Sequence, residues 1–163
     1  MKILVVFHSM YGHVQALAKA VAQGVQEVPG VELVVRRARE FPDVVQHMEQ
    51  EKGYAYQVYQ SQQSIPECTL DDLREADGVL FGSPTRYGNM TAQMKALIDS
   101  TAQLWLNGLM EGKPAGVFTS TASTHGGQET TLLTMMVPLL HLGMLIVGVP
   151  YSTCQGEARA PSW

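Results

Sequence analysis

Residues 3–25 read ILVVFHSMYGHVQALAKAVAQGV, a short apolar run, a loop and an amphipathic segment in direct succession. The run Ile3–Phe7 is too short for a helix, and its nearly continuous apolar character predicts a strand buried on both faces of a parallel sheet. Apolar residues then recur with helical spacing, at Val14, Leu17, Ala18, Val21, Ala22 and Val25. The sequence Pro29-Gly30 ends that helix. These residues therefore predict a strand, a loop, and a helix whose N-terminus faces the loop.

Further short apolar runs are spaced along the rest of the chain. They predict four more strands, at Glu32–Arg36, Gly78–Phe81, Gly116–Phe118 and Met144–Val149. The charged ends of the first of these runs suit an edge strand. The glutamine-rich segment Ala38–Cys68 has no clear periodicity, and we interpret it as a long surface excursion after the second strand.

Helical patterns alternate with the apolar runs. A capping box at Thr69–Asp72 opens a short helix, and an apolar stripe over Met94–Thr101 predicts another. The last helix should run from Gln128 to Leu142, with Pro138 kinking it or displacing its start. This alternation predicts one α/β domain over residues 1–163. Its core is a doubly wound, parallel five-stranded sheet in the flavodoxin-like order 2-1-3-4-5.

The composition argues against several classes of function. A net charge of −4, from 15 acidic and 11 basic residues, argues against a nucleic-acid partner. Cys68 and Cys154 cannot build a disulfide framework, and no cysteine or histidine cluster indicates a metal site. The N-terminal apolar run is too short for a signal peptide, and no apolar stretch reaches the length of a membrane span. We expect a protein of the reducing cytoplasm.

Ligands of an open parallel sheet bind beyond the carboxyl ends of the strands, in this order between the first and third strands. The first loop at this edge reads Ser9-Met10-Tyr11-Gly12-His13-Val14 and enters a helix. Backbone N–H groups at a helix N-terminus bind anions, so the loop favours a phosphate site. A plain strand-to-helix turn in which Gly12 relieves strain is the alternative. The loop lacks the GxGxxG fingerprint of NAD-type first turns.

Two further loops reach the same edge. The second reads Gly82-Ser83-Pro84-Thr85-Arg86-Tyr87-Gly88-Asn89-Met90, with glycines that allow close approach of a ligand and a tyrosine that offers a flat face. The third reads Ser120-Thr121-Ala122-Ser123-Thr124-His125-Gly126-Gly127-Gln128, whose hydroxyl and N–H groups suit the polar edge of a heterocycle. The second loop is unusually rich in glycine, proline, arginine and aromatic side chains for a purely structural loop, whereas the third could be a flexible helix-capping loop. Together, at one edge of one sheet, they indicate a ligand site.

These loops resemble those of the WrbA-type NAD(P)H:quinone oxidoreductases, most specifically in the Pro-Thr-Arg-aromatic-Gly-Asn-Met sequence of residues 84–90. The resemblance runs from Lys2 to about Tyr151 and is interrupted by residues 38–68. It implies an FMN enzyme of flavodoxin-like fold, a homodimer or more usually a homotetramer, that passes two electrons from NADH or NADPH to quinones. We expect ping-pong hydride transfer through the flavin, and we assign no catalytic residue of the protein itself.

The resemblance also implies which residues form the site. It places the FMN phosphate on the loop of residues 9–14. It places the isoalloxazine ring between Pro84, Thr85, Arg86, Tyr87 and Gly88 on one side and the loop of residues 120–127 on the other. His141 is a further candidate flavin contact, and is equally well explained as a helix-end residue. The candidate nicotinamide and quinone contacts are Tyr11, Tyr87, Trp105 and Tyr151, although Trp105 also suits a core or subunit contact.

Two positions depart from the family pattern. Leu142 stands where the family often has a second histidine, which puts any tuning of the flavin by that imidazole in doubt. The family continues after the last strand with a glycine-rich loop and a helix, whereas residues 154–163 read CQGEARAPSW. Without a covering helix, apolar side chains of the third to fifth strands would be exposed beside the Val14–Val25 helix. We expect a partner subunit to cover them, or a truncated chain of reduced stability.

Two other functions remain open at this point. A flavodoxin-type electron carrier depends on complementary charge for docking, for which a net charge of −4 is weak support. A stable one-electron-reduced flavin would indicate such a carrier. A non-catalytic scaffold, having lost flavin binding together with its C-terminal part, would be colourless and would not respond to added FMN.

Overall fold

The structure is a computed structural model that describes residues 1–150, in which helices flank a parallel sheet. The strands are β1 (Lys2–Phe7), β2 (Glu32–Arg37), β3 (Gly78–Pro84), β4 (Pro114–Ser120) and β5 (Leu145–Ile146). The helices are α1 (His13–Gln26), α2 (Pro42–Glu51), α3 (Tyr54–Ser61), α4 (Leu70–Glu75), α5 (Ala92–Asp99), α6 (Ala102–Leu106) and α7 (Gln128–His141). The described strands pair in parallel in the order β2-β1-β3-β4-β5, which confirms the predicted fold class.

Successive side chains of the strands enter two separate cores, because neighbouring residues of a strand point to opposite faces. The core beneath α4–α7 includes Leu4, Val6, Phe81, Met94 and Met135. The core beneath α1 is formed by Val5, Phe7, Val14 and Ala18. Strand β1 is therefore buried on both faces, as its continuous apolar run predicts. Helix α1 buries its predicted stripe wholly or partly except at Leu17, which is exposed.

The register of the strands brings three loops to one edge of the sheet. Phe7 of β1 lies beside Gly82 of β3, which lies beside Phe118 of β4. A side chain at position 82 would collide with the ring of Phe118, so the close pairing of β3 and β4 requires glycine there. The loops that follow β1, β3 and β4 consequently leave the sheet side by side.

The interpretation of residues 38–68 as a surface excursion is wrong, because this segment folds into α2 and α3. Pro42 occupies the first turn of α2, where its missing N–H costs nothing. Each helix buries a single apolar side chain, Met48 in α2 and Val58 in α3. So narrow an apolar face leaves most positions polar, which explains why the periodicity is hard to see in the sequence.

Several predicted boundaries also differ. The apolar residues of the stripe over Met94–Thr101 lie in α5, which ends at Asp99, and Thr101 is the N-cap residue of α6. The predicted strand Met144–Val149 is reduced to β5, which pairs with the first two residues of β4. The capping box of Thr69 and Asp72 is present at the start of α4. Helix α7 begins at Gln128 as predicted and continues through Pro138, so the proline does not displace its start.

The face of the sheet beneath α1 is incompletely covered near β5. Ile146 packs into the core beneath α4–α7, which places its neighbours Leu145 and Val147 on the α1 face. These two side chains are 60% and 58% exposed, whereas Leu80 of β3 and Phe118 of β4 are partly buried in the core beneath α1, so the exposure expected for the third to fifth strands is seen only at β5 and the residue after it. Cover by a partner subunit remains a prediction. Among residues 1–150, no helix has the length and apolar character needed to cross a membrane.

Candidate functional site

The three loops enclose a cleft of about 410 Å³ at the carboxyl edge of the sheet. Its walls come from the sequence-predicted positions Ser9, Met10, Tyr11, His13, Val14, Pro84, Thr85, Arg86, Ser120, Thr121 and Ala122. Loops after β1, β3 and β4 all contribute, so the structure brings together most of the residues predicted to hold a ligand. The other predicted residues of the three loops, namely Gly12, Tyr87, Gly88 and residues 123–127, are not part of the lining of this cleft.

The N-terminus of α1 opens into the cleft. Gly12 is its N-cap residue with φ +85°, a left-handed conformation that glycine adopts without strain, and glycine offers no side chain of its own to cap the helix. The N–H of Gln15 donates to Ser9 Oγ at 3.1 Å, whereas the N–H groups of His13 and Val14 have no acceptor among the described residues. Free N–H groups and the helix dipole together favour an anion here.

Helix α3 supports this first loop from the side. Gln62, at the end of α3 and 5% exposed, donates its amide N–H to the carbonyl oxygen of Ser9 at 2.8 Å. A Cβ atom at Gly12 would lie 3.8 Å from Val58 and 3.9 Å from the hydroxyl of Tyr54. Sequence reasoning missed this support because the apolar residues of segment 38–68 have no regular helical spacing. The only available signal was a cluster of tyrosines and glutamines, which are amphipathic enough to be half-buried.

The second loop forms a tight turn at the rim of the cleft. Arg86 and Asn89 exchange backbone hydrogen bonds of 2.7 and 3.0 Å, and the two residues between them, Tyr87 and Gly88, have φ +53° and +75°. Two positive φ values are the signature of a type I′ turn, which tyrosine adopts only with strain. The turn holds the Tyr87 side chain fully exposed beside the cleft. Strain of this kind is frequent at functional sites.

The second loop rests on the first turns of α7. Thr131 donates to Thr85 through their hydroxyl groups at 2.9 Å, and Thr134 Oγ1 donates to the carbonyl oxygen of Gly88 at 3.2 Å. Gly127 caps α7 with φ +90° and, like Gly12, without a capping side chain. Thr131 and Thr134 were not predicted as site residues, and nothing in their sequence context distinguishes them from other polar helix positions.

Two predicted site residues lie elsewhere. Trp105 and His141 line a separate groove of about 530 Å³ between α5, α6 and α7. Helix α7 starts at the cleft, and its 14 residues span about 20 Å, so His141 lies at the far end of the helix. The structure therefore does not bring His141 or Trp105 to the cleft of the same chain. Tyr151, the remaining predicted contact, lies outside the described residues.

A buried carboxylate lies beneath the first loop. Glu40 Oε2 is 3.0 Å from Nε2 of His8, and its Oε1 accepts hydrogen bonds from Gln93 Nε2 at 2.6 Å and from the Phe41 N–H at 2.9 Å. Burial raises the pKa of Glu40, but the three hydrogen bonds more than offset that effect and hold the pKa below its usual value. Glu40 is therefore ionised at neutral pH.

Comparison with known proteins identifies relatives of this chain. Residues 1–157 match the family described as NADPH-dependent FMN reductase. The chain is 50% identical to an NAD(P)H dehydrogenase (quinone) of Geobacter sulfurreducens, with 98% of the chain and 76% of the relative aligned. It is 47% identical to the protein of that name from Solidesulfovibrio magneticus, over 93% of the chain and 73% of the relative.

Solved structures agree with this assignment. A WrbA-like flavodoxin from Agrobacterium tumefaciens superposes with a TM-score of 0.64 and 26% identity, over 92% of this chain and 78% of that one. A flavoprotein of Lactobacillus acidophilus in complex with FMN shares the fold, with a TM-score of 0.54, 18% identity and 91% of each chain covered. The resemblance seen in the three loops is thereby confirmed, and the chain belongs to the NADPH-dependent FMN reductase family, with its flavodoxin-like fold.

Proposed function

We propose that this protein binds FMN in the cleft and uses it to reduce quinones by two electrons at the expense of NADH or NADPH. The observation that carries the proposal is the N-terminus of α1, which opens at Gly12 into a cleft built by three loops and whose His13 and Val14 N–H groups have no acceptor among residues 1–150. The relatives named NAD(P)H dehydrogenase (quinone) support the choice of substrates. The family match supports the choice of cofactor.

The residues of the cleft fit the parts of FMN. The loop of residues 9–14 would hold the phosphate, since its N–H groups supply donors without any basic side chain. The ring would lie between residues 84–88 and residues 120–127, and the cleft of about 410 Å³ is within the range of small-molecule sites. Arg86 connects the second loop to the phosphate loop, because its guanidinium lies 3.7 Å from the sulfur of Met10.

The protein would act by binding and orienting its substrates. FMN held by the three loops would supply the redox chemistry between the nicotinamide and the quinone. Tyr87, fully exposed, and Tyr11, 52% exposed, offer flat faces at the rim for a planar substrate. A single open face would admit the nicotinamide and the quinone in turn, which favours ping-pong kinetics.

We further propose that the working unit is a homodimer or homotetramer in the cytoplasm. Exposed apolar side chains line the α5–α7 groove and its surroundings, including Trp105, Leu106, Leu133, Val137 and Leu140 at 54–69% exposure. An apolar surface of this kind is typical of a subunit contact.

Reduced nicotinamide coenzymes are available in the cytoplasm, and cell fractionation would test that location.

Titration of the purified protein tests the function directly. Added FMN should be bound with a change in its fluorescence, NADH should then bleach the flavin absorbance, and benzoquinone should restore it. Steady-state rates at several concentrations of both substrates should give parallel double-reciprocal lines. Protein that leaves FMN unbound would overturn the proposal, and intersecting lines would overturn the ping-pong scheme alone.

A further inference from the structure

The His8–Glu40 pair has a feature that its packing does not explain. His8 follows β1 directly and is 4% exposed, and its Nε2 contacts Glu40, itself 9% exposed. The other ring nitrogen, Nδ1, is buried and has no hydrogen-bond partner among residues 1–150. Buried polar atoms are almost always paired, so an unpaired one in a native site calls for a functional reason.

The pair lies immediately below the proposed phosphate loop. His8 is the residue before Ser9, and both line a small cavity of about 10 Å³ together with Arg37, Glu40, Tyr59 and Gln62. A cavity of this size is close to the minimum that holds one water molecule. The unpaired nitrogen therefore sits one residue from the loop whose N–H groups would face the phosphate.

Because of the charges around His8, its protonation would change the affinity of the first loop for the FMN phosphate. Glu40 supplies a buried negative charge, and Gln93 of α5 is neutral. Arg37 of β2 is paired with Glu67 at 3.2 Å and Tyr59 of α3 is a weak acid, so neither offsets the charge of Glu40. With a neutral imidazole, the His8–Glu40 pair carries a net negative charge close to the loop that would bind the dianionic phosphate.

We propose that His8 is a positioning residue that takes up a proton when the FMN phosphate binds, so that the affinity for FMN depends on pH through the His8–Glu40 pair. The proposal rests on the proposed function, namely on the phosphate lying at residues 9–14. The proton comes from solvent and is added to Nδ1 of the imidazole, so that Nε2–H donates to Glu40 and Nδ1–H donates to a water molecule in the adjoining cavity of about 10 Å³. By reciprocity, protonated His8 binds the dianion more tightly than neutral His8 does.

Calorimetry of FMN binding to the apoprotein measures this proton. At pH 7.5, titrations in buffers of different ionisation enthalpy should show net proton uptake in the wild type. The affinity should fall at least about fivefold from pH 7 to 8.5, the lower end of typical coupling between sites. The phosphate itself titrates near pH 6 and favours binding as pH rises, so it cannot produce this fall. Riboflavin, which lacks the phosphate, should bind without proton uptake.

Variants assign the proton to His8. His8→Gln should abolish the uptake and flatten the pH profile, and Glu40→Gln should abolish the uptake while retaining affinity at pH 8.5. His13→Gln should still take up the proton, even if its affinity for FMN is lower. FMN binding by the wild type without proton uptake, or with uptake that survives in His8→Gln, would overturn this inference and leave the proposed function standing. Failure to bind FMN at all would overturn both.

Discussion

Tyr87 combines an unfavourable backbone conformation with a fully exposed aromatic ring, which indicates that the ring is kept for function. Its φ of +53° costs about 1–2 kcal/mol relative to glycine, part of which is offset by the greater flexibility of glycine in the unfolded chain. Tyr87→Gly should therefore raise the free energy of unfolding by up to about 1 kcal/mol. The same change should lower kcat/KM for quinone reduction, because a flat contact at the rim is lost.

Urea denaturation and steady-state kinetics would measure the two effects in the same preparations. Tyr87→Phe is the matched control, since it keeps both the ring and the strain and should leave stability and kcat/KM close to those of the wild type. If Tyr87→Gly were less stable than the wild type, the turn would not be strained. If its kcat/KM were unchanged, the ring would not be a substrate contact.

Arg37 holds the segment between β2 and β3 onto the sheet. Its guanidinium pairs with Glu67 at 3.2 Å and donates to the carbonyl oxygen of Ile65 at 3.0 Å, and its side chain is only 10% exposed. Arg37→Met should cost about 2 kcal/mol of stability, because the variant leaves the partly buried carbonyl of Ile65 without its donor and removes the closer cation from Glu67.

A neighbouring arginine provides the control for this change. Arg39 also approaches Glu67, at 3.8 Å, but its side chain is 76% exposed. Arg39→Met should change stability by no more than about 0.5 kcal/mol, since exposed ion pairs contribute little. Equal losses in the two variants, measured by urea denaturation, would contradict the assigned role of Arg37.

Helix α1 is the element on which the site depends, and two of its glycines have opposite roles. Glycine is required at position 12 because its φ is +85°. Gly24 lies inside the helix, and a Cβ atom added there would have no neighbouring atom within 4 Å. Gly12→Ala should lower stability by about 1 kcal/mol and weaken FMN binding several-fold, as the shifted backbone misplaces the first N–H groups. Gly24→Ala should raise stability by about 0.5–1 kcal/mol and leave FMN binding unchanged. Thermal denaturation and fluorescence titration would show whether the two effects separate in this way.

The elements that the sequence predicts well are those in which one face is continuously apolar. Strand β1 and helix α1 meet that condition, so their bounds and the loop between them are predicted within a residue or two. Helices α2 and α3 bury one side chain each, and their contribution to the site comes from a polar contact, Gln62 to Ser9. The spacing of apolar residues reveals apolar faces, but it carries no information about polar contacts of this kind. The pairing of His8 with Glu40, 32 residues apart, is hidden for the same reason.

At the scale of the whole molecule, the positions of Trp105 and the cleft suggest that one chain does not complete the quinone site. Trp105 is 58% exposed and lines the α5–α7 groove instead of the cleft. If it contacts the quinone, as the family resemblance implies, it must do so in the cleft of a neighbouring subunit. In the proposed oligomer, the apolar side chains around the groove would form the contact between subunits.

Val137, in the middle of α7 and 54% exposed in the groove, is the position at which this arrangement can be tested. Val137→Asp should lower the molar mass measured by light scattering and reduce kcat/KM for quinones about tenfold or more, since a charge buried in an apolar contact is strongly unfavourable. FMN binding should persist, because the cleft belongs to a single chain. Val28→Asp is the matched control: Val28 is 50% exposed beyond the end of α1, and neither the mass nor kcat/KM should change. A Val137→Asp protein that keeps its mass, or loses mass without losing quinone reduction, would contradict a quinone site shared between subunits.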